Sequence, residues 1–448
     1  MASIDVLASS IVEQVSKLSS LLKEGGLPPP TLDESGFSDF AREADTPEGN
    51  SLRETRSKIL DAAQDLIRLV RGPTEQILTL TWSVRALAHT SGTTAQAADT
   101  ANVDLITRLK LPQHVPLESS ISIQDLATAV RVPEPILGRI IRFSIGNGVF
   151  QEEAPNVIRH SASSAALVHN QHLANIVPFG AECLGSILMK IPDDVMLKRD
   201  DPANAVHAAF NIAYRTNESL FDHFHKNEDL NRKYHEYLLG RVNNPLWSVD
   251  RLRAAWPWAS KGKVTLVDVG GSSGHTVQAL APLMPDATFI VQDNNLSALE
   301  MGRRAAANDP SLQSRVSFTE YNFFKPQPVE ADIYIYRHIL HDWSDEDSVK
   351  ILSSLLPALR PGARVLISEA IIPDPPAKRA NTLASKMLRT EDMFMLGAHD
   401  SRERTVADFE SLFDKVSQGN FRLVGVTSGT EAGAFTSLLE FEFLGLRN

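Results

Sequence analysis

At 448 residues, with 43% hydrophobic and 22% charged positions, the chain has the composition of a folded globular protein of two or three domains. A formal net charge of −11 argues against a nucleic-acid backbone as the main partner, since phosphate binding wants a basic face. The single cysteine, Cys183, excludes an internal disulfide and a CxxC metal site and points to a reducing, cytoplasmic setting.

The chain begins with an amphipathic stretch over about residues 4–24, whose acidic residues and lack of a basic start set it apart from a signal peptide. No run of about 18 apolar residues is present, so no membrane span is expected. Gly25-Gly26 and Pro28–Pro30 end this helix, and an acidic, Ser-rich segment to about residue 50 reads as a linker. Helical periodicity resumes at Leu52 and runs to about Leu87. Residues 1–80 are accordingly expected to form an N-terminal helical extension.

Residues 81–180 are expected to hold a winged-helix dimerisation domain. Ser122-Ile-Gln-Asp125 caps a short helix carrying Leu126, Ala127 and Val130. A second helix follows Pro133 and Pro135, with Ile136, Leu137, Ile140 and Ile141 on one face. Val149-Phe150 and Val157-Ile158 supply a wing hairpin. The second helix offers only Arg139 and Arg142 as cations, so packing between subunits is expected there rather than DNA binding.

Residues 181–258 read as a helical connector that contributes to a substrate pocket. Its aromatic residues, Phe210, Tyr214, Phe221, Phe224, Tyr234 and Tyr237, recur at core-forming helical spacing. Phe210 and Tyr214 are candidates to line a pocket for a flat molecule.

From residue 259 onward, short apolar strands alternate with helices, at Val264–Val269, Ala287–Gln292, Arg315–Phe318, Ala331–Tyr336, Ala363–Glu369, Phe421–Val426 and near Phe435–Phe443. Such alternation predicts an α/β domain with a doubly wound, largely parallel, Rossmann-like sheet and an antiparallel hairpin at its edge. Ser344-Asp-Glu-Asp347 and Thr405-Val-Ala-Asp408 each supply a helix cap.

The first strand turns into its helix through Asp268-Val-Gly270-Gly271-Ser272-Ser273-Gly274. Glycines admit positive φ and let a ligand approach the backbone. The dinucleotide fingerprint G-x-G-x-x-G is absent, which weakens a nicotinamide reading and suits an adenosyl amino acid without a pyrophosphate. Asp293 ends the second strand, where a carboxylate accepts ribose hydroxyls. His341 follows the fourth strand, Glu369 ends the fifth and Glu403 precedes a helix cap, so all three fall at the sheet's ligand-binding end. A phenol near pKa 10 lies about 3.5 units, or roughly 5 kcal/mol, above a reference imidazole. A histidine base therefore needs a carboxylate to stabilise its protonated form, and Glu369 and Glu403 suit that orienting role.

The motifs Leu-Val-Asp-Val-Gly-Gly-x-x-Gly, His-Asp-Trp-Ser-Asp and Glu-Arg-Thr-x-x-Asp-Phe resemble the caffeic-acid-type and fungal secondary-metabolite O-methyltransferases, which are class I enzymes dependent on S-adenosyl-L-methionine; the likeness covers about residues 80–448. The resemblance implies that Gly270, Gly271 and Asp293 hold the donor's methionine and ribose, that Asn322 and Phe323 surround its adenine, and that Arg337 lies near the adenine. It implies His341 as general base between Glu369 and Glu403, a homodimer, no metal, and a phenolic or polyketide-type small-molecule acceptor. His160 falls where the family brings a partner segment toward the substrate, and Met395 lies in a segment that contacts substrate. Asn322 departs from the usual Asp, residues 391–400 are one residue shorter than in plant members, and the first 80 residues have no plant counterpart. Two alternatives remain: a methyltransferase-fold pericyclase or dehydratase that binds the donor without methyl transfer, and a donor-binding DNA regulator.

Overall fold

A computed structural model describes residues 3–27, 47–82, 92–201, 208–242, 249–373, 383–427 and 436–446. The chain divides into two compact units, the described residues up to Leu173 forming one and those from Ala174 onward the other. The N-terminal helices therefore group with the hairpin module, and the helical connector groups with the large sheet.

In the N-terminal unit a helix spans Ile4–Glu24, with Ser3 accepting from the Val6 amide. A longer helical stretch covers Pro47–Trp82 and is broken at Gly72, whose φ of 72° precedes Pro73. The expected continuation to Leu87 lies outside the described residues. Strand β1 (Ile121–Ser122) leads into the helix Ile123–Val130, which Ser122 caps by accepting from the Asp125 amide at 3.0 Å. The helix Glu134–Gly146 follows, then strands β2 (Phe150–Ala154) and β3 (Val157–His160). These strands form an antiparallel sheet in the order β1-β3-β2.

The second unit opens with helices. One helical run, Gln171–Asp200, is the only one among the described residues long and apolar enough to cross a membrane. A π-helical turn at Gly180–Leu184 interrupts it, and it buries Val177, Phe179, Cys183 and Ile187 against the protein, as a core helix does.

The large sheet follows the expected alternation. Its strands are β4 (Thr265–Val269), β5 (Thr288–Asp293), β6 (Val316–Glu320), β7 (Ile333–Arg337), β8 (Arg364–Glu369), β9 (Phe421–Thr427) and β10 (Ser437–Phe443). The order is β6-β5-β4-β7-β8-β10-β9. Strands β4 to β8 pair in parallel, while β10 runs antiparallel to both β8 and β9 and lies between them. The terminal hairpin thus enters the sheet through its second strand.

Successive side chains alternate between two apolar layers, as the period of a strand requires. Val267, Val269, Tyr334, Tyr336, Val365 and Ile367 face one layer. Leu266, Phe289, Val291, Ile333, Ile335 and Leu366 face the other. Central strands buried on both sides read as continuous apolar runs, which is why their limits were visible to within one or two residues. Parallel pairing brings the carboxyl ends of β4, β5, β7 and β8 to one edge, where open α/β sheets bind ligands.

Candidate active site

At that edge β4 runs into the glycine turn. Gly270 has φ 72°, and a Cβ there would lie 2.4 Å from Ile339 Cδ1. A Cβ on Gly271 would lie 2.5 Å from Asp268 Oδ2. Only glycine fits either position. Asp268 is buried, and its Oδ2 has no hydrogen-bond partner among the described residues. Burial raises this carboxyl to about 7 against the opposing pull of Arg337.

Asp293 ends β5 with each oxygen engaged once: Oδ2 accepts from the Ser272 amide and Oδ1 from the Asn295 amide, both at 2.8 Å. Burial raises its pKa, and these amides oppose the shift. Each oxygen keeps acceptor capacity for a further donor. Phe323 packs at the mouth of the turn, its ring in edge contact with Trp343 at 5.7 Å, and Phe324 meets Trp343 at 4.8 Å. Asn322 is exposed, and its side chain accepts from the Phe324 amide.

Arg337, expected near the adenine, ends β7 at the carboxyl edge of the sheet. Its Nη1 meets His275 Nε2 at 3.2 Å at the start of the helix after the glycine turn. Asp268 is its electrostatic partner. The guanidinium therefore sits under the turn, on the same face of the sheet as Asp268. Burial, with Arg337 adding to it, holds His275 down at about 3, so this imidazole is neutral.

His341 lies in a 3-10 turn, Leu340–Asp342, directly after β7. Its Nδ1 meets Glu403 Oε1 at 2.8 Å. Its Nε2 stands 3.6 Å from Asp342 Oδ1, beyond hydrogen-bond range, and is the nitrogen left to take a proton. Burial pulls the imidazole pKa down, but the carboxylates of Glu403, Asp342 and Glu369 outweigh it and raise His341 to about 10. Burial in turn raises Glu403 against the pull of His341. We assign the shared proton to the imidazole, because three carboxylates face it.

Glu369 does not hold the imidazole. Its Oε1 accepts from the amides of Ile339 at 3.1 Å, Leu340 at 2.6 Å and His341 at 3.4 Å. It caps the turn that carries His341, so the two glutamates make different contacts with that residue. Arg404, fully buried, clamps the same turn from the other side, donating to the carbonyls of Leu340 and Trp343 and to Asp345. Ser401 donates to the His341 carbonyl.

The remaining candidates scatter. Phe210 is fully buried and packs on Tyr214 and Phe224. Tyr214 adjoins Cys183, and burial pushes both acids up, the thiol to about 11. Phe210 is thus a core residue and Tyr214 is half-buried beside it, while Phe221 and Tyr234 approach Asp342. Phe221 stacks on His399 at 5.1 Å, and His399 Nε2 is 3.5 Å from Asp342 Oδ1. Tyr234 senses the Asp342 charge. Met395 is buried one turn before His399. His160 engages both ring nitrogens within the N-terminal unit, Nδ1 with Ser164 Oγ at 2.8 Å and Nε2 with the Val115 carbonyl at 2.9 Å. It ties β3 to the next helix and has no nitrogen left for a ligand.

Two residues unnoticed in the sequence also lie near His341. Arg241 is a buried cation that meets Glu391 at 3.3 Å and Tyr237 Oη at 3.2 Å. His338 lies three residues before His341, a spacing that repeats a titratable residue within one turn and was open to notice.

With this geometry in view, the comparisons with known proteins have a site to refer to. Residues 193–419 match the model of the O-methyltransferase domain. The chain is 31% identical over 424 residues to the O-methyltransferase aoiF of Aspergillus oryzae, covering 92% of this chain and 94% of that one.

The chain belongs to the O-methyltransferase family.

It is an S-adenosylmethionine-dependent enzyme of that family. The grayanic acid biosynthesis cluster O-methyltransferase of Cladonia grayi is also similar, 31% identical over 436 residues, covering 97% of this chain and 86% of that one. In fold, the chain is similar to OxaC in complex with SAH and oxaline, with a TM-score of 0.66 and 20% identity over 98% of this chain and all of that one.

Proposed function

We propose that this methyltransferase acts on a hydroxyl of an aromatic or polyketide-type metabolite, with His341 as general base. The observation that carries the reading is the His341–Glu403 pair, whose open Nε2 lies at the carboxyl edge of the sheet beside the glycine turn. The grayanic acid cluster relative and the oxaline complex of OxaC support an acceptor of this kind.

The residues present fit the donor. The orphaned Asp268 carboxylate suits its ammonium, Asp293 its ribose hydroxyls, and Phe323 with Trp343 a flat base. When bound, S-adenosylmethionine supplies an electrophilic methyl group and a fixed positive charge. His341 Nε2 removes the acceptor proton while Glu403 holds Nδ1 and stabilises the imidazolium. A base raised to about 10 matches a phenol, which removes the roughly 5 kcal/mol mismatch of an ordinary imidazole. Glu369 and Arg404 hold the turn so that oxygen and methyl meet in line, and positioning of this kind supplies much of the remaining acceleration.

We further read the N-terminal helix–hairpin module as a winged helix used to pair two copies of the chain, in the reducing compartment that the single buried cysteine suggests. Support comes from the helix Ile4–Glu24, which exposes Ile4, Val6, Val12 and Val15.

The test measures transfer of labelled methyl to a panel of phenolic metabolites by wild type and His341→Ala. General-base loss should lower the rate by about 10²–10⁴ while S-adenosylhomocysteine binding is kept. An unchanged rate overturns the base assignment. An acceptor isomerised or dehydrated without label transfer selects the pericyclase or dehydratase alternative.

A further inference from the structure

His338 stands out on three counts. Its backbone occupies the left-handed region at φ 52°, an uncommon and costly conformation for a residue with a Cβ. Both ring nitrogens are shut off from solvent and have no hydrogen-bond partner among the described residues. Its ring centre lies 5.4 Å from that of His341, with the planes tilted by 42°. An imidazole with both nitrogens buried and neither satisfied forfeits its hydrogen bonds to water, a cost expected where a ligand supplies the missing bond.

The local charge defines that ligand. Burial, reinforced by Arg337, His341, Arg241 and His275, holds His338 well below the usual histidine range, so the ring is neutral and offers one N–H and one lone pair. The nearby arginines are engaged elsewhere, Arg241 with Glu391 and Tyr237, and Arg337 with His275. A neutral donor beside committed cations suits an uncharged oxygen. Asp268 and Asp293 suit the donor's ammonium and ribose, whereas His338 stands beside His341, where the acceptor hydroxyl must lie.

We propose that His338 selects the acceptor by hydrogen bonding to an oxygen that neighbours the hydroxyl to be methylated, so that the substrate class is a phenol with an adjacent carbonyl or hydroxyl. The inference deepens, and rests on, the aromatic-acceptor reading above. The two ring centres are 5.4 Å apart, so an acceptor that sets its reacting hydroxyl at His341 brings a neighbouring oxygen close to His338. In such phenols the hydroxyl proton is held by the adjacent carbonyl. An N–H from His338 occupies that carbonyl oxygen and leaves the phenolic proton for His341 Nε2. No bond at His338 is made or broken beyond this hydrogen bond, so its role is specificity and not proton transfer.

The test compares a matched pair, 1-hydroxy-2-acetonaphthone and 2-ethyl-1-naphthol, which share shape but differ in the neighbouring oxygen. kcat/KM is measured for wild type, His338→Ala and His338→Asn, with S-adenosylhomocysteine binding by calorimetry as the control for folding and donor contact. The expected result for His338→Ala is a loss of tenfold or more on the ketone, under threefold on 2-ethyl-1-naphthol, and donor-product affinity within twofold of wild type. His338→Asn, which keeps a donor and tolerates the left-handed backbone, should recover part of the ketone preference. Equal losses on both acceptors, or no loss on either, overturn the proposal. A tenfold fall in S-adenosylhomocysteine affinity also overturns it, because His338 then serves the donor. Failure of wild type to methylate either naphthol removes the aromatic-acceptor reading itself, and the role of His338 with it.

Discussion

Glu403 and Glu369 both converge on His341, but only Glu403 touches its ring: Glu403 Oε1 lies 2.8 Å from Nδ1, whereas Glu369 accepts the amides of the turn beneath it. On the proposed reading, Glu403 tunes the proton affinity of His341 and Glu369 fixes its position. Substitutions should separate the two effects.

Glu403→Gln should move the pH–rate profile. The base works when neutral, so kcat/KM rises as pH climbs through the His341 pKa. Glu403 raises that pKa toward about 10, and its removal shifts the midpoint to lower pH. The plateau falls as well, by about tenfold for each unit of lost proton affinity that the phenol must make up. A pH series of kcat/KM checks both signs, and an unmoved midpoint would show that Glu403 does not tune the base.

Arg404→Met should cost stability before it costs chemistry. The guanidinium is fully buried and joins Leu340, Trp343 and Asp345, and breaking a buried network of this kind costs about 3–5 kcal/mol. A fall in Tm on the order of 10 °C is expected for a unit of this size. Arg404→Lys should fail to restore it, since one ammonium cannot serve the same fork of acceptors. Thermal melting of the three proteins decides the matter.

Gly271→Ala should damage donor binding at its root. The added methyl meets Asp268 Oδ2 at 2.5 Å and Val291 Cγ1 at 2.9 Å, so the turn must shift at a cost of about 1–3 kcal/mol. Calorimetry with S-adenosylhomocysteine should show weakened binding, while Gly146→Ala, with open space around its Cβ and no positive φ, serves as the control away from the turn.

Binding of S-adenosylhomocysteine at pH 6 should release protons. Asp268 sits at about 7 because it is buried, so it is largely protonated there. A ligand ammonium beside it favours the carboxylate, lowers its pKa and expels the proton. Calorimetry in buffers of different ionisation enthalpy measures the release. Asp268→Asn should abolish it, and a release unchanged in that variant would place the titrating group elsewhere.

Much of this architecture was legible in the sequence, for identifiable reasons. Strands such as Thr265–Val269 and Arg364–Glu369 are buried on both faces and read as unbroken apolar runs. Ser122, Ser344 and Thr405 announced their helices because a cap is a local interaction of three residues. His341, Glu369 and Glu403 could be placed at one end of the sheet from strand ends alone. Their division of labour was hidden, because which carboxylate reaches a ring and which reaches three amides depends on side-chain direction. The contacts of Arg337 were hidden for a related reason: its strand register turns it toward Asp268 and His275. Phe210 and Tyr214 carried the same helical spacing as Phe221 and Tyr234, and periodicity does not tell which of them stacks on His399. The insertion of β10 ahead of β9 left no local trace at all.

That insertion bears on the order in which the protein is made. β8 pairs with β10 over Arg364–Glu369, and Ser437 stands opposite Glu369 itself. A ribosome that has released β9 has therefore delivered the sheet's outer strand but not the one that joins it to the rest. Until residues 437–443 emerge, the edge of β8 is bare and the segment that presents Glu369 to the catalytic turn lacks its neighbour. Formation of the site is thus coupled to residues 437–443, and a nascent chain stalled before them carries His341, Glu369 and Glu403 without the strand that backs β8.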